Sequence, residues 1–120
     1  MNRQRRIGQW GEQVAAEFLE AQGYTILKRN LRTPYGEVDL VVQSGNWIVF
    51  VEVKARTSRT HGFPEESITP RKKEHFLNAV TYAMEEHQEW EGNWRVDVIA
   101  IEGTPERGEP RVVWFENAFA

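Results

Sequence analysis

With 120 residues, 40% of them hydrophobic, the chain has material for one domain that buries roughly two-thirds of its unfolded surface. The absence of cysteine excludes a disulfide scaffold and thiolate zinc sites, and it fits a reducing cytoplasm. The net charge of −3 hides a division, since residues 1–73 carry +4 and residues 74–120 carry −7.

In chain order, the basic start Asn2-Arg3-Gln4-Arg5-Arg6 has no apolar stretch behind it, and no run reaches membrane-spanning length. A cytoplasmic domain over residues 1–120, without a membrane partner, is therefore expected. Apolar residues at Ile7, Trp10, Val14, Phe18 and Ala21 predict a helix over about residues 3–22, with Gly23 just past its end. Glu12 lies off that stripe, near the Ala15/Leu19 edge, where a helix can flank a sheet face. Tyr24–Leu31 reads as a first strand. Two further strands follow as a hairpin, with arms at Glu37–Val42 and Trp47–Lys54.

That hairpin is where the chemistry concentrates. If Gly45-Asn46 is a two-residue turn, Ser44 pairs with Trp47, Asp39 faces Glu52 and Glu37 faces Lys54. Alternation then puts these four charges on one face with Val41, Ile48 and Phe50. Val38, Leu40, Val42, Val49, Val51 and Val53 line the other. Opposed side chains hold their Cβ atoms about 4.5–5.5 Å apart, so like charges there call for a proton or a cation. A divalent metal on Asp39 and Glu52, with the Val53 carbonyl as a further hard oxygen ligand, answers that demand. Lys54, two positions on, would hold a nucleophilic water or offset phosphoryl charge. The competing readings are a solvated sheet face and a plain Lys54–Glu37 ion pair, the latter worth only a few tenths of a kcal/mol when exposed.

Beyond the hairpin, Thr57–Ser67 reads as a loop, within which Glu65-Glu66 could approach the metal. Thr69 is a plausible N-cap and Pro70 suits the first turn of a second helix, which would bury Phe76, Leu77, Val80, Ala83 and Met84. Arg71, Lys72 and Lys73 stand at its N-terminus and Glu85, Glu86, Glu89 and Glu91 toward its C-terminus. That arrangement opposes the helix dipole but makes a phosphate site. Trp94–Ile101 and Arg111–Phe115 are the last strands. Asp97 is expected to form a structural ion pair with Arg95, and the tryptophans to pack in core or rim rather than stack on bases.

Asp39 followed by Glu52-Val53-Lys54 resembles the PD-(D/E)xK nuclease signature, although Val38 stands where that signature has proline. Gly11-Glu12, Gly23-Tyr24, Arg29-Asn30, Gly36–Leu40, Val49–Lys54, Thr69–Lys72, Arg95–Val98 and Glu116–Phe119 are similar to blocks of the YraN-like family of small bacterial predicted endonucleases. The resemblance implies a restriction-endonuclease-like α/β fold, a mixed central sheet flanked by helices in the order α-β-β-β-α-β-β. It also implies Mg²⁺- or Mn²⁺-dependent phosphodiester hydrolysis, with Asp39 and Glu52 as metal ligands and Lys54 as catalytic lysine. Archaeal Holliday junction resolvases, the better understood relatives, imply a catalytic glutamate at Glu12, branched DNA as substrate and a homodimer. The basic half of the chain fits such a partner, with Arg56 and Arg71, Lys72 and Lys73 on the phosphate backbone. The alternative is a non-catalytic nucleic-acid-binding or protein-interaction module that keeps a nuclease fold.

Overall fold

The computed structural model describes residues 2–57 and 69–119. Asn2 starts the first helix by accepting the Arg5 N–H on its side-chain oxygen at 2.8 Å. Helix α1 (Arg3–Ala21) then runs until the chain reverses through Gly23, whose φ of +95° favours glycine. Strands β1 (Thr25–Thr33), β2 (Gly36–Ser44) and β3 (Trp47–Arg56) follow as a meander. Helix α2 (Pro70–Glu86), capped by Thr69, leads to β4 (Asn93–Glu102) and β5 (Arg111–Phe115).

The five strands form one mixed sheet in the order β1-β2-β3-β4-β5. Every neighbouring pair is antiparallel except β3 and β4, which run parallel because α2 lies in the crossover between them. The expected fold class and element order are those observed, with element ends that coincide or shift by a residue or two. Of the expected Thr57–Ser67 loop, only Thr57 lies within the described residues.

Each helix covers one face of the sheet. Ala79, Val80 and Ala83 of α2 bury Leu31, Val38, Val41, Ile48, Phe50 and Val96. Ala15, Ala16 and Leu19 of α1 bury Leu40, Val42, Val49, Val51, Ile99 and Ile101. Burial on both faces explains why β2, β3 and β4 are nearly continuous runs of valine and isoleucine rather than strictly alternating strands.

Two expectations about these faces are corrected. The buried stripe of α1 is Ile7, Gly11, Ala15, Ala16 and Leu19, while Trp10, Val14 and Phe18 flank it and Ala21 is exposed. Small residues occupy its centre because the helix lies very close to β3. A Cβ at Gly11 would sit 2.7 Å from the Cβ of Ala55. Secondly, Val38 packs on the α2 side with Val41, three residues on, whereas Leu40 and Val42 face α1. Strict alternation forbids that interval, so β2 slips by one position at Asp39–Leu40. Beside the slip, β1 has a bulge between Ile26 and Lys28, and Asn30 takes a left-handed φ of +51°.

Candidate active site

The β2–β3 ladder runs from Ser44/Trp47 through Gln43/Ile48, Val42/Val49 and Val41/Phe50 to Leu40/Val51. The turn therefore sets the expected register, but the ladder stops one pair short of Asp39/Glu52. Neither that pair nor Glu37/Lys54 belongs to it, which corrects the expectation of direct cross-strand partners. The reason is visible at Val53, whose backbone N–H donates to Asp39 Oδ2 at 2.8 Å. A carboxylate thus takes the place of a backbone acceptor, and the two strands part around it.

The four hairpin charges also do not open onto one common face, as expected from alternation. Asp39 lines a cavity of about 210 Å³ beneath α1, with Gln9, Glu12, Gln13, Arg29, Asn30 and Leu40. Glu37 and Glu52 line a groove of about 470 Å³ on the α2 side, with Tyr35, Thr69, Arg71, Lys72, His75 and Phe76. Because β2 slips at Asp39, the fork is open from both sides of the sheet. Lys54 binds Glu52, with Nζ 3.1 Å from Oε1, and not Glu37.

Electrostatics tie the fork together. Burial pushes the Asp39 carboxyl up to about 6, opposed by the hydrogen bond from Val53 and reinforced by the negative charges of Glu12, Glu52 and Glu37. Glu12 is raised as well, first by burial and then by Glu37, with Arg29 acting against the shift. Asn30 stands between Glu12 and Glu37. With its amide nitrogen turned toward them, it donates to Glu12 Oε1 at 2.7 Å and to Glu37 Oε1 at 3.0 Å. Arg29 Nη1 meanwhile donates to Gln13 Oε1 at 2.9 Å, which ties β1 to α1 beside the same cavity.

The donor set is carboxylate oxygen without thiolate, which suits Mg²⁺ or Mn²⁺. Among the described residues no three Asp, Glu or His side chains form a ready-made cage. An open, two-carboxylate arrangement is how Mg²⁺ is commonly held, because it keeps several waters and takes further oxygens from a phosphate. The residues at the fork therefore fit such an ion.

The expected basic residues divide. Arg71 and Lys72 line the α2-side groove facing Glu37 and Glu52, while half-buried Lys73 does not line it. Arg56 lies in a roomier groove of about 640 Å³ with Arg3, Gln4, Ile7, Gly8, Ala55 and Thr57. Among the described residues that lining has no carboxylate, so volume alone does not mark the chemistry. Glu65-Glu66 fall outside the described residues. Asn30 had no role assigned from sequence. The available signal was an Arg-Asn pair interrupting a strand pattern, since asparagine tolerates positive φ better than most residues.

A family model described as "Uncharacterised protein family UPF0102" matches residues 11–101, which include Glu12, Asn30, Asp39, Glu52 and Lys54. The UPF0102 protein of Dehalococcoides mccartyi is 36% identical over 114 residues, covering 95% of this chain and 93% of its own. That of Syntrophomonas wolfei is 41% identical over 115 residues, covering 96% and 98%. That of Anaeromyxobacter dehalogenans is 45% identical over 113 residues, covering 94% and 83%. With matches of this length on both sides, the chain belongs to the UPF0102 family, the YraN-like proteins to which its motifs point.

Proposed function

We propose that this protein is a metal-dependent endonuclease of the restriction-endonuclease-like kind, hydrolysing phosphodiester bonds in DNA. The observation that carries the reading is Asp39. It is a half-buried carboxylate with one oxygen fixed by the Val53 N–H, whose pKa is raised to about 6 first by burial and further by the three glutamates around it. Such a group is poorly served by the protein alone, and a divalent cation would relieve it.

Asp39, through the oxygen not held by Val53, and Glu52 would bind the ion, with the Val53 carbonyl and Glu12 as further oxygen donors. When bound, Mg²⁺ or Mn²⁺ supplies Lewis-acid stabilisation of the charge that develops on the phosphoryl oxygens. Lys54, anchored on Glu52, brings a positive charge to the same end of β3, where it orients the attacking water and offsets that charge. Asn30 keeps Glu12 and Glu37 from repelling one another out of position. Across the groove, Arg71 and Lys72 at the start of α2 hold the phosphate backbone.

The test is cleavage of linear, flapped and four-way DNA by the purified protein with Mg²⁺ or Mn²⁺. Asp39→Asn and Lys54→Ala should each lower the rate about 10²–10³-fold, while binding of DNA persists. Binding by the wild-type protein with no cleavage of any substrate, under either metal, would leave a non-catalytic binding module as the reading.

A further inference from the structure

Among the described residues, the large apolar side chains left exposed are Tyr35, Trp47 and Trp94. Trp47 opens β3 and pairs beside the Ser44 turn, and Trp94 lies next to Ile48, so both stand at the end of the sheet away from Glu52 and Lys54. Tyr35 stands at the site itself. It occupies the tip between β1 and β2, is 49% exposed, and lines the same groove as Glu37, Glu52, Arg71 and Lys72.

Its placement is held rather than loose. The Tyr35 N–H donates to Thr33 Oγ1 at 3.1 Å, and the same hydroxyl donates to the Gly36 carbonyl at 2.7 Å. Gly36 closes the turn at a φ of +132°, which a side chain would oppose. Tyr82 of α2 meets the Tyr35 ring edge-on, with centroids 6.4 Å apart and planes at 67°. Phe76, the other benzene-type ring of the groove, is committed to Phe119, at 5.3 Å and 79°.

A braced, half-exposed ring beside two cations and two carboxylates has the composition of a site for an unpaired nucleotide. Phosphates are met by cations, and a base by an aromatic face. The bases of an intact duplex are stacked on each other and offer no such face. We infer that Tyr35 is a stacking platform for an unpaired base next to the scissile phosphate, which selects single-stranded, flapped or branched DNA over blunt duplex. This rests on the proposed function for the choice of DNA as the polymer.

The test is binding of fluorescently labelled single-stranded DNA and of a blunt duplex, measured with chelator so that no cleavage occurs. Tyr35→Ala and Tyr35→Leu should each weaken single-strand binding roughly 5- to 150-fold, the effect of removing one base–aromatic stack. Tyr35→Phe should stay within about twofold of wild type, and duplex binding should change little in all three. The inference is overturned if the wild type does not favour single strands, if Tyr35→Ala and Tyr35→Leu bind them normally, or if Tyr35→Phe loses as much as Tyr35→Ala. Because no metal is needed, the two readings fail separately. A wild type that cleaves nothing yet shows the Tyr35 pattern refutes the nuclease only. Cleavage dependent on Asp39 and Lys54 but indifferent to Tyr35 refutes the platform only.

Discussion

Two aspartates sit in the same sheet and have opposite surroundings. Asp97 on β4 is fully buried and accepts hydrogen bonds from Arg95 Nε and Nη2, Trp114 Nε1 and the backbone N–H of Asn117, all between 2.9 and 3.2 Å. Arg95 in turn donates to the Tyr24 hydroxyl at 2.9 Å. Asp39 on β2 has the Val53 N–H and, around it, three more carboxylates. The first is a charge whose needs the protein meets, and it pins the C-terminal residues to the sheet. The second is a charge whose needs are left open where a ligand could meet them. Burial by itself therefore says little about function; what a buried acid is given as partners says more.

That contrast can be broken most directly by removing each acid. Asp97→Ala takes away the acceptor shared by Arg95, Trp114 and the Asn117 N–H and should cost about 3–5 kcal/mol in urea unfolding. Asp39→Asn should do the reverse in the absence of metal, stabilising the fold at pH 8. A loss of stability there would make Asp39 a structural residue like Asp97.

The pH dependence sharpens the same point. Because the folded pKa of Asp39 lies at about 6, above its ordinary value of 3.8, folding takes up a proton between those limits. Stability from this group is greatest below about pH 4, falls as pH rises through 6 and then stays level. The stability difference between wild type and Asp39→Asn should therefore open across that window by on the order of 2–3 kcal/mol. A flat difference from pH 4 to pH 8 would refute the shift.

Divalent metal should act on one aspartate only. Mg²⁺ at about 100 times its dissociation constant stabilises a folded protein by about 2.7 kcal/mol. Asp39→Asn should abolish the resulting rise in melting temperature, which should weaken below pH 6 as the carboxylates protonate. The smallest effect is expected at Asn30→Gly, which keeps the left-handed backbone and deletes the amide between Glu12 and Glu37. A loss of about 1 kcal/mol, larger at high pH than at low, would mark that bridge.

Much of this was legible in the chain because short-range chemistry dictates it. The Gly45-Asn46 turn sets the β2–β3 register, and Thr69-Pro70 sets the start of α2. Asp97 with Arg95 two residues away reads correctly as structural. What was not legible depends on elements far apart in sequence. The slip at Asp39 needs the bulge in β1, the twist of Asn30 and the loan of the Val53 N–H. No pattern within β2 announces it, so alternation assigned Val38 to the wrong face and put all four charges on one side. The stripe of α1 was misplaced for a related reason. Hydropathy favours Trp10 and Phe18, whereas proximity to β3 selects glycine and alanine.

The absent methyl at position 11 has a wider consequence. Glu12 follows it directly, so the gap between α1 and Ala55 also governs how near Glu12 comes to the fork. Gly11→Ala would act as a wedge, prying the helix outward and withdrawing one acid from the cluster while every charged group stays chemically intact.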